Sequence, residues 1–384
     1  MKRILYLHPT FVPPPQDPAL DRFALFAGRL EGDVVQPVWF STSQELEAHL
    51  GAGSFPVFER AGFRYHFLLA GQRRHRGAVL RFQFRKAHQL LRERRYDAIV
   101  VYSHMTTGLA GVLLKALHRT PLAVEVATSP ALSYLQDRPR PGLTKRIAKL
   151  YSDCCLHATL LAADRTHLLF PSALARYPLL RRVPVSVFHE FVPVSRIERY
   201  TGARDPVVLF VGHPWYLKGV DLLIRAFRSL AADFSELRLE IVGYFPDGGE
   251  LRRLAADCPQ IRFLDPIPNA ELLAKLARCQ LLVLPSRCEG MGRVLLEAMA
   301  AGLPVIGSDA GGIPHYARHE ENGLVFRSGD AGDLARQLRR LLADPALRER
   351  LGARGYEIAH QQMDERAYVR EFAAMIEAAA AARR

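Results

Sequence analysis

Glu289 and Glu297 are separated by seven residues, among them Gly290, Met291, Gly292, Arg293 and Val294, in LLVLPSRCEGMGRVLLEAMAAGLPVIGSDAGGIPHY. An apolar run ends at Pro285, the glycines allow a ligand close to the backbone, and a helix opening near Arg293 would carry Glu297 in its first turn. A carboxylate in that place can accept two sugar hydroxyls beside the helix amides. Gly311 and Gly312 follow the next apolar run. Upstream, VVLFVGHPWYLKGVDLLIRAF gives an apolar run, a loop bounded by Gly212 and Gly219, then an amphipathic stretch. Loop amides and a helix start favour an anion, and Lys218 adds a point charge suited to phosphate. The stretch does not match the phosphate loop G-x-x-x-x-G-K-[ST]. No G-x-G-x-x-G follows the first strand, which argues against a dinucleotide oxidoreductase.

These loops need strands to hold them. With 384 residues, the chain has length for two domains. Short apolar runs alternate with amphipathic stretches, as in parallel sheets covered by helices on both faces. Strands are expected at 4–7, 98–101 and 122–126, and more regularly at 207–211, 237–242, 261–264, 281–284 and 304–306. Leu223, Ala226, Phe227 and Leu230 share one helix face. Between the halves, VPVSVFHEFVPVSRIERYTGARDP carries Pro184, Pro193 and Pro206 and marks the boundary. The expected organisation is α/β: two doubly wound domains, 1–195 and 204–363, across a cleft, then a helical tail, 364–384, that packs back on the first.

Charge divides unevenly. Residues 1–195 hold 26 Lys and Arg against 14 Asp and Glu, and the remainder 26 against 25, so the excess lies in the first half. Such a field attracts anionic lipid, nucleic acid or an acidic substrate. Residues 73–95, RRHRGAVLRFQFRKAHQLLRERR, run from Arg73 to Arg95 with nine basic residues and one acid, Glu93. The stretch reads either as a basic amphipathic helix on an anionic membrane surface or as a core helix with a solvated arginine face. No nucleic-acid-binding signature accompanies it. The five cysteines, 154, 155, 258, 279 and 288, form no C-x-x-C pair, and point to a reduced cytoplasmic protein without a structural metal. No apolar run approaches the roughly 18 to 20 residues of a membrane-spanning helix.

The segment EGMGRVLLEAMAAGLPVIGSDAGG, with GHPWYLKG upstream, resembles the donor domain of retaining GT-B glycosyltransferases of family four, strongly over 206–342 and more weakly before. The resemblance implies two Rossmann-like domains, the second binding a nucleotide-diphosphate sugar and the first recruiting an acceptor, with no metal or other cofactor. It implies that Glu297 holds the ribose hydroxyls and that Glu289 contacts the donor sugar. Gly290, Met291 and Gly292 would face sugar and diphosphate, and Gly212, His213 and Lys218 would hold the diphosphate. Val294 would lie near the nucleoside. Glu289 and Lys218 are the expected catalytic pair. The implied activity is sugar transfer to a lipid-linked or saccharide acceptor in cell-envelope glycan or glycolipid assembly, at the cytoplasmic face of the inner membrane.

Two positions depart from the family pattern. His213 stands where an arginine is usual, and a histidine lacks the bidentate fork; Arg293 is a candidate substitute. Ala127 stands where a strand-end histidine is expected; His8 and His104 also follow strands. These departures keep open a non-catalytic nucleotide-sugar-binding protein of the same fold.

Overall fold

The computed structural model describes residues 1–9, 14–15, 21–38, 40, 42–50, 57–70, 76–127, 142–245 and 248–382. The chain forms two compact units: Met1–Pro130, Ile147–Phe191 and Arg366–Arg384 in one, Ala131–Arg146 and Val192–Glu365 in the other.

The first unit carries β1 (Lys2–Leu7), β2 (Leu30–Val38), β3 (Val57–Arg60), β4 (Phe63–Leu69), β5 (Ala98–Tyr102), β6 (Leu122–Val126), β7 (Arg165–Leu168) and β8 (Val185–Val187). They form one sheet in the order β3-β4-β2-β1-β5-β6-β7-β8, parallel throughout except for the β3–β4 hairpin. Its helices include α1 (Ser43–Leu50), α2 (Arg76–Glu93) and α3 (Thr106–His118), and α4 (Gly142–Ala162), whose residues 142–146 fall in the second unit, leads into β7. The second unit has β9 (Asp205–Val211), β10 (Arg238–Val242), β11 (Ile261–Leu264), β12 (Cys279–Leu284), β13 (Val305–Ser308) and β14 (Leu324–Phe326). These form an all-parallel sheet in the order β11-β10-β9-β12-β13-β14. Between and beyond them run α5 (Val220–Arg228), α6 (Gly249–Ala255), α7 (Asn269–Arg278), α8 (Arg293–Ala300), α9 (Ile313–Tyr316), α10 (Ala331–Ala343), α11 (Pro345–Gln362) and α12 (Glu365–Ala381).

Both sheets are doubly wound, so each reverses its strand order once: between β1 and β5 in the first, between β9 and β12 in the second. At such a reversal the loops leaving the two carboxyl ends diverge and a crevice opens above them. The central strands are apolar on both faces. Ile4, Leu5, Tyr6 and Leu7 in β1 and Val208, Leu209 and Phe210 in β9 have no exposed surface, because helices cover both sides. Tyr368, Phe372, Met375 and Ile376 of α12 belong to the first unit's core, where Phe372 stacks on Phe26 at 4.7 Å between ring centres.

The strands expected from apolar runs all form, within about two residues at their ends. Others form without such a run. β2, LEGDVVQPV, buries Asp33, which a strand centre tolerates because Arg64, His66 and Tyr96 all bond its carboxylate, at 2.8, 2.7 and 2.7 Å. Gly32 in the same strand is obligatory: a Cβ there would lie 1.9 Å from the carbonyl oxygen of Ile4.

Of the basic stretch 73–95, residues 73–75 lie outside the described residues, and the rest is mostly α2. Gln83, Ala87 and Leu90 are buried, Val79, Leu80, Phe82 and Phe84 half-buried, and Arg81, Arg85 and Arg92 exposed. The apolar side of α2 is thus covered by its own fold, and the arginines form its solvated face.

Candidate functional site

The crevice of the second unit is built from two turns. After β9 the chain passes Gly212, His213, a cis-bonded Pro214 and Trp215 to Gly219, then enters α5. After β12 it passes Pro285 to Gly292 and enters α8. Glycine is required at both helix starts. Gly219 has φ +69° and a Cβ there would lie 2.0 Å from the Pro285 carbonyl oxygen; Gly292 has φ +76° and would strike Leu284. Neither helix has a side-chain cap; at the α5 start the Gly219, Val220 and Leu222 amides bond the carbonyls of Tyr216, Trp215 and Gly219, and at the α8 start the Leu295 amide bonds that of Gly292.

The turns are bolted together by residues without an evident signature in the sequence. Arg287 grips Asp221 with two bonds of 2.7 Å and donates to the Tyr216 carbonyl at 2.8 Å, while its own amide donates to the Leu217 carbonyl at 2.7 Å. Burial works against its charge, but the bonds and charge of Asp221 outweigh that and hold the guanidinium above its usual range. Two carboxylate–guanidinium bonds fix an angle as well as a distance, so the Lys218 and Glu289 turns move as one body.

Across this frame Lys218 Nζ meets Glu289 Oε2 at 2.5 Å. Glu289 also accepts from Ser286 Oγ at 3.2 Å and from the amide of Gly290 at 3.2 Å. Gly311 has φ +59°, and a Cβ there would lie 2.0 Å from the Glu289 carbonyl oxygen, which the Gly312 amide approaches at 3.4 Å. The structure therefore gathers Lys218, Glu289, Gly290, Gly311 and Gly312 at one place. Cys288 is beside them; burial, then the charge of Glu289, pushes its thiol up to about 11.

Glu297 does not lie in the first turn of α8. The helix opens at Arg293, leaving Glu297 one turn further in, 4% exposed at its side chain, where Arg293 Nε reaches its Oε1 at 3.0 Å. Burial raises its carboxyl above the ordinary range despite that partner. Arg293, expected as a substitute phosphate ligand, is paired with Glu297, its side chain half exposed. Met291 is buried and Val294 half-buried. His213 is exposed beside Gly212, and its Nδ1 bonds the Tyr244 carbonyl at 2.7 Å. A carbonyl only accepts, so Nδ1 carries a proton and Nε2 is the atom left for a ligand.

In the first unit the strand ends at the β1/β5 crevice are closed by their own side chains. Glu125 of β6 is buried against Arg22, at 2.9 and 3.1 Å, Tyr6 and His167. Burial resists its charge, but Arg22 first, then His167 and Tyr6, hold the carboxyl down at about 2. Arg22 lies over the rings of Tyr6, Phe23, Tyr102, Tyr368 and Phe372. His8 stacks with Tyr6 and Tyr102, and burial followed by Arg22 lowers it to about 3. His104 is buried and lowered by burial to about 4. Ala127 follows β6 half-buried. Most of the proline-rich opening loop, 10–13 and 16–20, lies outside the described residues. All five cysteines are free thiols. Among the described residues no cluster of three His, Cys, Asp or Glu side chains could hold a metal ion, and no helix is long and apolar enough to cross a membrane.

Two doubly wound units, with glycine turns and a lysine–carboxylate pair at the second crevice, make a GT-B fold. Residues 196–358 match the family model for glycosyl transferases group 1. A curated relative, the GDP-mannose-dependent monoacylated alpha-(1-6)-phosphatidylinositol monomannoside mannosyltransferase of Corynebacterium glutamicum, is 33% identical over 202 residues, 48% of this chain and 53% of its own. The chain thus spans between 29 and 53% of the length of the curated relatives it matches here. Among solved structures, the sucrose-phosphate synthase of Thermosynechococcus elongatus superposes with TM-score 0.78 at 21% identity, covering 98% of each chain. Anabaena HepE in complex with UDP and glucose gives 0.72 at 18% identity, covering 98% of this chain and all of its own. At these identities the structural likeness shows the fold.

Proposed function

We propose that this protein is a retaining glycosyltransferase that moves a sugar from a nucleotide-diphosphate donor to the hydroxyl of a lipid-linked or saccharide acceptor. The observation that carries the reading is the Lys218–Glu289 pair at 2.5 Å, clamped between two uncapped helix starts at the β9/β12 crevice. An ammonium has three donors, so Lys218 can keep Glu289 in place while it also holds a phosphate oxygen. As the bond to the sugar breaks, negative charge grows on the departing diphosphate. Lys218 is the cation fixed there to receive it, with the backbone of Gly290 to Gly292 and the turn of Gly212 and His213 around it. Glu289 contacts the donor sugar, Val294 flanks the nucleoside, and Glu297 accepts the ribose hydroxyls. On this reading the nucleotide sugar is substrate and no resident metal or cofactor takes part. That the Corynebacterium glutamicum relative is a phosphatidylinositol monomannoside mannosyltransferase supports a glycolipid acceptor, and with it a place at the cytoplasmic face of a membrane.

The test is a thermal-shift panel of UDP-, GDP-, ADP- and dTDP-sugars against the wild type and Glu297→Ala. A bound donor at about 100 times its Kd raises stability by about 2.7 kcal/mol. One nucleotide class is expected to shift the wild type and not the variant. Equal shifts in both proteins would remove Glu297 from the site.

A further inference from the structure

The first half's positive charge has a second outlet besides α2. Helix α4, GLTKRIAKLYSDCCLHATLLA, has two apolar faces. One is buried: Cys155, Leu156, Thr159 and Leu160 pack into the unit, and Thr159 Oγ1 bonds the His104 carbonyl at 3.0 Å. The other faces water. Leu143, Ile147, Leu150 and Leu161 are 72, 59, 66 and 60% exposed, and Cys154 and Ala158 lie exposed between them. The spacing of 143, 147, 150, 154, 158 and 161 follows the helical repeat, so these residues form one outer stripe along the helix, about 30 Å at 1.5 Å per residue. Neighbouring α3, tied to α4 where Lys115 Nζ donates to the Ala162 carbonyl at 2.8 Å, adds exposed Leu113 and Leu117. No other helix among the described residues shows so many exposed large apolar side chains.

We infer that the outer stripe of α4 is the surface by which this protein lies on an anionic lipid bilayer. The occupant is chosen by charge. Lys145, Arg146 and Lys149 stand exposed within the first turns of the same helix against one acid, Asp153, which pairs with Lys149. A second copy docked on this stripe would bring two sets of these cations together, whereas lipid phosphates complement them. Lysine and arginine stems are long enough to keep their heads at the phosphate level while the leucines enter the acyl boundary, the arrangement of an interfacial amphipathic helix. By contrast, α2 exposes arginines and no large apolar side chain, so it contributes field and not insertion. The inference draws its purpose from the proposed glycolipid acceptor, but its test is independent of sugar transfer.

Vesicles of phosphatidylglycerol and phosphatidylcholine in equal parts, and of phosphatidylcholine alone, are sedimented with the full chain. The wild type is expected to bind the anionic vesicles, less at high salt, and to ignore the neutral ones. Ile147→Asp with Leu150→Asp should weaken binding more than about tenfold, since each side chain otherwise leaves water. Lys145→Glu with Arg146→Glu should weaken it about tenfold or more. Nucleotide-induced thermal shifts should be the same in all of these proteins, which separates this test from that of the donor site. Undiminished vesicle binding by the Asp variant overturns the inference, as does a wild type that binds neither vesicle. A wild-type dimer in light scattering that the Asp variant dissolves overturns it in favour of self-association. Where the Asp variant does not fold, wild type labelled at exposed Cys154 decides: quenching by lipids brominated in the acyl chain supports insertion, and a label that stays in water on bound protein overturns it.

Discussion

The two units place a strand-order reversal at the centre of their sheets and finish it in opposite ways. In the second, the turns beyond β9 and β12 end in glycines, helix starts without a side-chain cap and one cation–carboxylate pair with part of its surface open, Lys218 at 22% and Glu289 at 11%. In the first, the corresponding place is filled: Arg22 and Glu125 neutralise each other at 12% and 2% exposure, under a lid of tyrosine and phenylalanine rings. Topology supplies the crevice in both. Whether a ligand or the protein's own side chains completes it depends on a few residues, and the two crevices should therefore fail in different currencies, one in stability and one in binding.

The largest effect is expected from the filled crevice. Glu125→Gln leaves the Arg22 charge buried without its partner, a loss of about 3–5 kcal/mol, read as a drop in the denaturant midpoint. Nucleotide binding measured on the fraction that remains folded should be unchanged. If the variant melted like the wild type, the Arg22–Glu125 pair would have no structural role.

Lys218→Ala should do the reverse. The melting temperature should move little, because the lysine is partly solvated and Glu289 keeps its bonds to Ser286 and the Gly290 amide. Turnover should fall by about 100- to 1,000-fold, the usual cost of removing one fixed group from the charge that develops in a transition state. Single-turnover kinetics with the donor found by the nucleotide panel would separate that loss from weaker binding. A variant that lost stability and kept its rate would abolish the contrast between the crevices.

Acid sharpens the comparison. His104 is held neutral, its value lowered to about 4 from 6.5. The unfolded chain therefore takes up its proton first, so its contribution to stability is intact above about pH 6.5 and lost as the pH falls from there towards 4. At pH 5 that amounts to about 2 kcal/mol. His104→Asn should remove that part of the acid sensitivity in calorimetric scans. In the open crevice the raised carboxyl of Glu297 takes a proton at a higher pH than an ordinary glutamate, so acid should weaken nucleotide affinity earlier than it protonates surface carboxylates.

The same contrast explains what could be read in advance. Runs such as 207–211 and 281–284 are apolar on both faces, and the glycines at 212, 219, 290 and 292 mark turns, so the scaffold of the open crevice was legible residue by residue. Its clamp was not, because Arg287 and Asp221 are 66 positions apart and each alone looks like a surface charge. The position of Glu297 was misjudged by one turn, since glycine at 292 marks a helix start without saying how far along the axis a later side chain projects. In the first unit the difficulty is general. Asp33 sits in β2 only because Arg64, His66 and Tyr96 reach it from as much as 63 positions away, and β6, though its apolar run was legible, gave no sign of the Arg22 that meets Glu125 from 103 positions away. Charges that a fold satisfies internally are the least visible in its sequence.

The smallest effect tests the residue where the open crevice departs from its family pattern. His213 gives its Nδ1 proton to the Tyr244 carbonyl, so in the neutral ring Nε2 offers a lone pair, which repels a phosphate oxygen; only the doubly protonated ring donates there. An arginine at 213 would present a charged fork at every working pH. His213→Arg should therefore tighten nucleoside diphosphate binding about fivefold, near 1 kcal/mol, in titration calorimetry. A variant that binds more weakly at every pH would mean that the Tyr244 bond, which holds the β9 turn against the β10 end, matters more than the charge. The diphosphate would then depend on Lys218 as its cation, and the residue at 213 would serve the turn and not the ligand.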